Sequence, residues 1–551
     1  MNNYFRLTKV LLKNGMNFSE SGSKKKSRRL NGIILAFILM IGFGPMSVMI
    51  YFGTDYLYHL LAQFNQTGTI IALGLSGVSV LIFFFALFLA PGVYYYSKDI
   101  ESLLPLPLNP EEIIFAKFTI TLFYEYIAEL IMLGPILLSF GINLGGSPEY
   151  WILAVIVFLT VPIAPLIYAS IINMVTMRFT NIGKNKNIYN MLGGVFALFF
   201  GLGVNIAIQR LVTVNQTKLL EMLAQGNDSL KSVIYTIFPG NRFAVNALTG
   251  GTAIDFIFYL LISAAMLAVF LLIAKAIYFK GVIGITEAGT SRRAIGEAAM
   301  AQITREKGIL LTYTFKEIKI LLRTPIYFLN CVITNFLWPI FLVLTVFAGK
   351  EEDSMRDALK VLKYDDPQTI AITLCVAAAV GVFVASFNCV TSTAISREGT
   401  NFQCMKYIPV SYRTQIDAKV LSGIILSALG ALCIYITAIF ALGIPVWLLA
   451  LSLPYCAFGI IISSYSGIMI DLLRPVLVWD NEQKPVKQNM NVVIMMGVAA
   501  FMGAVLIMGA VNLRTYALPL GIGALIALAA ASYAVYRLSG YTAVKAMRRL
   551  S

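Results

Sequence analysis

The sequence is poor in the residues from which metal sites and nucleophilic active sites are usually built. His59 is its only histidine, which leaves almost no basis for histidine metal ligation or a Ser-His-Asp triad. The cysteines show no CxxC spacing and have no histidine close by, so we expect single, inert thiols. All of them lie in the second half of the chain, at Cys331, Cys375, Cys389, Cys404, Cys433 and Cys456.

Charged residues are also scarce. They make up 13% of the 551 positions, whereas hydrophobic residues make up 58%. The apolar residues cluster in runs of about 20 or more, the length that a helix needs to cross a hydrocarbon core of about 30 Å. Barrel strands would need short alternating segments, which the sequence does not show. Because lipid offers the backbone no hydrogen-bond partner, we predict an all-α, polytopic membrane protein.

The apolar runs predict about twelve transmembrane helices in two sets of six, with ends placed to within about four residues. The first set is expected near 30–52, 67–93, 114–143, 149–175, 189–209 and 254–280. The second set is expected near 325–347, 369–394, 415–440, 443–470, 490–511 and 516–539.

The distribution of positive charge predicts the orientation. Most of the 42 Lys and Arg residues fall in segments that lie inside if the N-terminus is cytoplasmic, and positive loops stay on that side. We therefore expect both termini in the cytoplasm, and a retained N-terminus because residues 1–29 do not resemble a cleaved signal peptide. The net charge of +15 then faces anionic membrane lipid, and we expect no nucleic-acid partner because the basic residues form no compact domain.

A repeated pattern about 300 positions apart predicts a duplication. Residues 5–13 read FRLTKVLLK, and residues 315–323 read FKEIKILLR. Both alternate apolar and cationic positions at helical spacing, which is typical of an amphipathic helix lying among the headgroups. We predict elbow helices at 3–14 and 308–323, and two halves, 1–290 and 291–551.

Two further landmarks recur in the same order. After the second span of each half, a loop with a proline and a capping residue leads to a lysine, Lys117 in one half and Lys419 in the other. Asn109 and Ser411 are suitable N-caps for the helices that follow. Between the fourth and fifth spans, residues 178–190 parallel 471–489. Because six spans is an even number, both copies face the same way, which predicts a parallel repeat about an axis along the membrane normal.

The sequences ISREG at 395–399, KYIP at 406–409 and DLLRP at 471–475, with Trp479, Asp480 and residues 484–489, resemble the fused two-half permeases of ABC-2 type ABC transporters in Gram-positive bacteria. The resemblance implies that the loops after the second spans, hereafter the coupling segments 98–112 and 397–409, rest on an ATPase. The residues it implicates in and directly beside these segments are Lys98, Asp99, Glu101, Leu104, Pro107, Ser396, Arg397, Glu398, Gly399, Tyr407 and Pro409. In the inner-loop segment 471–489, they are Asp471, Arg474, Pro475, Trp479, Asp480, Lys484, Lys487 and Asn489.

The same resemblance implies an exporter in the bacterial plasma membrane, with its pathway between the halves. No G-x-x-x-x-G-K-[S/T] loop occurs in the sequence, so we expect no bound cofactor here and no enzymatic activity. ATP and Mg would be used by a separate cytoplasmic ABC ATPase subunit, in two copies. The substrate class stays open among peptides, lipids and amphipathic drugs, and the outer loop 210–251 has no assigned ligand.

Two carboxylates support a different hypothesis. Glu125 and Glu129 lie one helical turn apart inside the third predicted span, where an acid must be protonated, paired or exposed to water. They would serve a proton-coupled secondary transporter, although a polar contact between helices also explains them. A third hypothesis is a non-transporting immunity or scaffold protein.

Overall fold

The structure is a computed structural model that describes residues 2–15, 25–64, 66–97, 99–103, 106–180, 185–213, 235–288, 308–348, 364–479, 481–512 and 516–549. Helices connected by turns account for these residues, and no strand occurs among them. The prediction of an all-α protein is confirmed for this part of the chain.

The chain divides into two compact units. Unit 1 comprises Met1–Tyr189 and Val214–Arg293, and unit 2 comprises Asn190–Thr213 and Ala294–Ser551. The two predicted halves, 1–290 and 291–551, stay a prediction; in this division, residues 190–213 group with unit 2.

Unit 1 is built around α3 (Gly68–Tyr94), the helix that corresponds to the second predicted span. Its helices are α1 (Asn2–Gly15), α2 (Lys25–Ala62), α3 (Gly68–Tyr94), α4 (Ile100–Leu103), α5 (Pro110–Asn143), α6 (Pro148–Thr160), α7 (Ile163–Phe179), the first residues of α8 (Lys186–Thr213), α9 (Pro239–Leu248) and α10 (Ala253–Ala288). Helix α3 packs against α5 and α7, α10 packs against α7, and α1 lies along α5.

Unit 2 is built around the helix of its own second predicted span. Its helices are α11 (Ile309–Arg323), α12 (Pro325–Tyr327), α13 (Thr334–Ala348), α14 (Pro367–Phe387), α15 (Phe402–Tyr407), α16 (Tyr412–Thr437), α17 (Val446–Leu473), α18 (Lys484–Lys487), α19 (Met490–Asn512) and α20 (Ala517–Arg549). Helix α14 packs against α17 and α19, α20 packs against α17, and α11 lies along α16.

Ten helical spans in the described residues are long and apolar enough to cross a membrane, or eleven if the bent pair Pro325–Val332 and Thr334–Val343 forms one span. The protein is therefore a multi-span membrane protein. Helix α2 covers the first predicted span but is not among the ten, and its side chains are described only from Phe43 onwards. The count of twelve stays a prediction.

The predicted elbow helices and caps are present. Helices α1 and α11 each keep one phenylalanine exposed, Phe5 and Phe315, and bury the opposite face. Asn109 caps α5, with its backbone N–H donating to Glu112 Oε2 at 3.2 Å, and the Ser411 side chain accepts the N–H of Thr414 at 3.1 Å. These local signals are strong because a helix start needs acceptors for its free N–H groups.

The predicted span 369–394 is wrong at its end, because α14 stops at Phe387. Asn388 ends the helix through its side chain, which accepts the N–H of Val390 at 3.0 Å and donates to Ser427 Oγ at 2.7 Å. A side chain that binds its own backbone competes with the helix. The chain then turns through Cys389 at φ 56° and delivers residues 395–399 to the candidate site. At the other end of unit 2, α20 runs to Arg549, ten residues beyond the predicted end at 539.

Helices α14 and α17 cross at two glycines. A Cβ added to Gly381 would lie 2.2 Å from the carbonyl oxygen of Cys456, and one added to Gly459 would lie 2.3 Å from that of Ala378. Only hydrogen at these positions lets the two backbones approach so closely, as small residues do at helix crossings in membranes.

We expect Gly381→Ala to lower the stability of the protein by about 1–3 kcal/mol, the usual cost of overpacking. The matched control is Gly497→Ala in α19, where an added Cβ meets nothing within 4 Å and helix propensity favours alanine. Thermal unfolding in detergent should show a lower Tm for the first variant and an equal or higher Tm for the second. Equal Tm values for both would contradict the close crossing.

Candidate functional site

The two motifs that carry the family resemblance meet in unit 2. Asp471, in the last turn of α17, is buried and accepts the backbone N–H groups of Ile395 at 2.7 Å and Ser396 at 2.9 Å on Oδ2. Its Oδ1 accepts the Ser396 hydroxyl and, at 2.9 Å, the side-chain amide of Asn491. This carboxylate therefore fastens the start of the coupling segment to the end of a transmembrane helix.

Trp479 makes the second fastening. Its indole Nε1 donates to the carbonyl oxygen of Ser396 at 2.9 Å, and its ring lies against Gly399. A Cβ at Gly399 would stand 2.8 Å from that ring, and the residue has φ 54°, in the region that favours glycine. The backbone N–H of Val476 also donates to Ser396 Oγ at 2.9 Å. The inner-loop segment thus wraps the turn 396–401 from one side.

A buried charge network holds the same turn from the other side. Lys419 of α16 is buried, and its Nζ contacts both Glu398 and, at 2.9 Å, Glu317 of α11. Lys316 Nζ, which is partly exposed, lies 3.1 Å from Glu317 and 3.7 Å from Glu398. The two lysines pair with the two glutamates, so the network joins the elbow helix, α16 and the coupling segment through opposite charges.

Glu317 is ionised in this network. Burial raises the pKa of its carboxyl, but Lys419, Lys316 and Arg397 outweigh burial, so that the pKa lies below its usual value. A lowered folded-state pKa contributes stability that is present above the unfolded-state pKa, about 4.3, and is lost as the pH falls through the folded-state value. Against Glu317→Gln, we therefore expect wild-type protein to have the higher Tm at neutral pH and this advantage to shrink in acid. An advantage that is independent of pH would contradict the ion pairing.

Arg397 is buried inside unit 2. Its guanidinium lies 5.6 Å from the ring centre of Tyr327, and Nη1 lies 3.4 Å from Thr393 Oγ1. Ser396 and Gly399 are buried as well. These three residues therefore anchor the coupling segment, and its exposed surface is formed further along.

The exposed part of this coupling segment is α15 and the residues that follow. Tyr407 is 86% exposed, and Ile408 and Pro409 are exposed beside it. Phe402 and Met405 turn the opposite face of α15 inward, and Cys404 is exposed on α15 itself. A short helix with an aromatic, apolar tip and a buried anchor can contact a partner protein and transmit its displacement.

The other residues of the inner-loop segment have different positions. Asp471 and Arg474 do not pair: the Arg474 side chain is exposed, and only its carbonyl oxygen takes part, accepting from Asn491 at 2.8 Å. Lys484 and Lys487 are exposed on α18, Pro475 is half-buried, and Asn489 is buried with its amide donating to the carbonyl of Pro485 at 3.0 Å. Asp480 lies outside the described residues.

Unit 1 contains a simpler version of the charge network. Lys117 of α5 is buried, and its Nζ lies 3.3 Å from Asp99 Oδ2 and donates to Ser97 Oγ at 2.6 Å. Leu7 stands on α1 where α11 has Glu317, so that this lysine faces one carboxylate instead of two. Lys98 and Leu104 lie outside the described residues, only the backbone of Glu101 is described, and Pro107 is exposed.

The whole cluster lies in a region matched by a known family. The family model described as "Putative ATP-binding cassette" matches residues 23–516. The chain belongs to this family. It is therefore related to ATP-binding cassette transporters. Searches of curated proteins and of solved structures find no match.

In this ATP-binding cassette family member, the intramembrane candidates lie away from the coupling segments. Glu125 and Glu129 are buried on α5 in unit 1. Glu125 Oε1 and both oxygens of Glu129 have no hydrogen-bond partner among the described residues. Lys117, two turns earlier on α5, is engaged with Asp99 instead.

Three residues that help to hold the turn 396–401 in unit 2 are not among the candidate site residues predicted from the sequence: Glu317, Lys419 and Asn491. The sequence indicates Lys419 only as a landmark of the repeat. Glu317 is the one acid in an otherwise cationic amphipathic helix, and it lies on the buried face. That position was a usable signal, because an acid on the buried face of such a helix requires a cation. Asn491 gave no comparable signal.

Proposed function

We propose that this chain is the membrane subunit of an ATP-driven exporter, an ABC-2 type permease that works with separate ATPase subunits. The observation that carries the proposal is the construction of the unit 2 coupling segment, which has an exposed tip at 407–409 and a buried anchor at 396–399. The family match and the multi-span helical fold support it.

The anchor supplies a route for force. A displacement of α15 by a partner would pass through the Asp471 bonds to α17 and through Lys419 to α16 and α11. Rigid helices joined by buried polar contacts move together, as hinge and shear transitions require. In this proposal the ATPase, with ATP and Mg, supplies the displacement from the cytoplasm, and both termini of the chain lie on that side of a bacterial plasma membrane.

We also propose that the two halves arose by duplication. In each unit a buried lysine of the third predicted span faces an acid just after the second, Lys117 with Asp99 and Lys419 with Glu398. The elbow helices α1 and α11 lie along the corresponding helices α5 and α16. A common ancestor explains why one arrangement occurs twice, and the count of twelve spans belongs to the same proposal.

The test is co-purification of an ATPase with the full-length chain expressed at its native level. We expect a P-loop ATPase to accompany wild-type protein and to be reduced at least tenfold with Tyr407→Ala and Ile408→Ala combined, because both side chains are exposed at the tip. Tyr516→Ala is the matched control and should retain the ATPase, because Tyr516 is an exposed tyrosine at the first residue of the last predicted span.

Other outcomes favour the other candidates. If no ATPase accompanies wild-type protein in several detergents, the exporter proposal fails. Transport that then depends on a proton gradient would support a secondary transporter, and absence of both would support a scaffold or immunity role. The substrate stays open among amphipathic compounds, peptides and lipids, because the spans are generically apolar and would suit all three classes.

A further inference from the structure

A polar stripe runs along the inner face of α5 in unit 1. It consists of Lys117, Thr121, Glu125 and Glu129, spaced one helical turn apart, and each of them is at most 2% exposed. At a rise of 1.5 Å per residue, the stripe is about 18 Å long. It leads from the coupling segment toward the middle of the helix.

The two ends of the stripe differ in their bonding. Lys117 Nζ has Asp99, Ser97 and the carbonyl of Val93 as partners, and the Thr121 hydroxyl donates to the carbonyl of Lys117 at 3.0 Å. At the other end, three of the four carboxyl oxygens of Glu125 and Glu129 have no hydrogen-bond partner among the described residues. The Lys117 ammonium group therefore has hydrogen-bond partners, whereas the carboxyl groups at the other end are largely without them among the described residues.

No described cation faces this pair. Tyr94 of α3 interacts with Glu125, and Tyr126 of α5 and Tyr259 of α10 interact with Glu129. These three phenol groups have hydrogen-bond partners of their own: Tyr94 bonds Ser170 at 3.0 Å, Tyr126 donates to the carbonyl of Leu159 at 2.6 Å, and Tyr259 bonds Thr160 at 2.7 Å. Among the described residues, the two carboxyl groups therefore have neutral phenol groups as neighbours, and each also lies one helical turn from the other carboxyl group.

The charged and titratable groups on the remaining neighbours of α5 meet it elsewhere. They bond or contact it at least six residues from Glu125 or Glu129: Tyr4 of α1 at Thr119, Asp55 of α2 at Asn143, Tyr150 of α6 at Leu137, and Lys275 of α10 at Glu111.

The corresponding stripe of unit 2 has no acid. Counting on from Lys419 at the same spacing gives Gly423, Ser427 and Ala431. Gly423 packs so closely that an added Cβ would lie 2.4 Å from the Thr391 side chain, and Ser427 binds Asn388 at 2.7 Å. Small residues let the helices of unit 2 pack closely at these positions. A helix can therefore pack in this way without carboxyl groups, so packing alone does not explain Glu125 and Glu129 in unit 1.

We propose that Glu125 and Glu129 form a proton-binding site in unit 1, in which at least one carboxyl group is protonated while α5 is packed as described. Two ionised carboxylates one turn apart, with no cation and no donor, would carry the full cost of burial and of mutual repulsion. A proton is the ligand that removes both costs and requires no coordination shell.

Proton binding would then be linked to the opening of unit 1. When water reaches α5, a carboxyl O–H bond breaks, the proton passes to water as hydronium, and the carboxylate is hydrated. Closing reverses these steps and takes up a proton. Low pH therefore favours the packed state of unit 1, whether or not an ATPase drives its opening and closing.

Infrared difference spectroscopy of the purified full-length chain in detergent tests the site without any partner. We expect wild-type protein at neutral pH to show the C=O stretching band of a protonated carboxylic acid, and Glu125→Gln/Glu129→Gln to lose it. Glu149→Gln is the matched control, because Glu149 is exposed at the start of α6 and should leave the band unchanged. Neutral glutamine has the shape of protonated glutamate, so the double variant should also keep the wild-type Tm.

Three results would overturn the proposal. One is a double variant with wild-type Tm and an unchanged band, and another is the absence of any such band in wild-type protein. The third is a double variant that fails to fold, since this would mean that ionised carboxylates are needed. None of these results depends on whether an ATPase co-purifies, so that the site and the exporter proposal can fail separately.

Discussion

Replacing Lys419 with methionine should destabilise the protein by about 3 kcal/mol, toward the lower end of the cost of breaking a buried ion pair. Methionine fills a similar volume but leaves Glu317 and Glu398 without their shared cation. Lys316 remains 3.1 Å from Glu317 and limits the loss. The measurement is the Tm of purified protein in detergent. The coupling segment should also become accessible to protease, since Glu398 loses its tie to α16.

Two other lysines provide controls for this variant. Lys319→Met alters an exposed position on α11, the elbow helix that carries Glu317, and should change the Tm little. Lys117→Met in unit 1 should have an intermediate effect, because its partner Asp99 is 32% exposed and water can replace the lysine. If Lys419→Met and Lys319→Met gave equal Tm values, the charge network would have no part in holding the coupling segment.

Replacing Asp471 with asparagine should cost a similar amount, about 3 kcal/mol. The carboxylate accepts four hydrogen bonds, two from backbone N–H groups and two from the Ser396 and Asn491 side chains. Either orientation of an asparagine amide points its NH₂ at a buried donor, the two backbone N–H groups in one case and the Asn491 amide in the other, so that buried groups lose their partners. We expect a lower Tm and a red-shifted tryptophan emission, because Trp479 rests on the same turn.

Asp365→Asn serves as the matched change, since Asp365 is exposed just before α14. It should leave both the Tm and the emission unchanged. Trp479→Phe in the Asp471→Asn background would identify the source of the emission change. A normal Tm for Asp471→Asn would mean that the carboxylate is protonated and that its bonds to the backbone are weaker than the geometry implies.

Local features were predictable from the sequence, whereas the site was predictable only in part. Apolar runs, the amphipathic elbow helices and the caps at Asn109 and Ser411 depend on neighbours within a few residues. The contact between Asp471 and Ser396 joins positions 75 residues apart, and a single sequence contains no signal for such a pairing. The resemblance named both motifs without showing that they bind each other.

The errors have a common physical origin. The end of α14 at Phe387 was missed because the apolar run continues, and the Asn388 side chain bonds that stop the helix go to another element. Glu317 was not singled out, because the segment 315–323 was interpreted from its cationic positions as a helix among the headgroups, whereas the partner of Glu317 is Lys419 on α16. In both cases tertiary contacts outweighed a local pattern.

The exposed thiol on α15 gives the protein a built-in attachment point for a reporter. Cys331, Cys375 and Cys456 are buried, and Cys389 and Cys433 are partly covered, whereas Cys404 is exposed. A maleimide dye should therefore react first at Cys404 in the native chain, without prior removal of the other cysteines. The dye would sit one helical turn before Tyr407, so that its emission or anisotropy would record docking and movement of the coupling segment in real time.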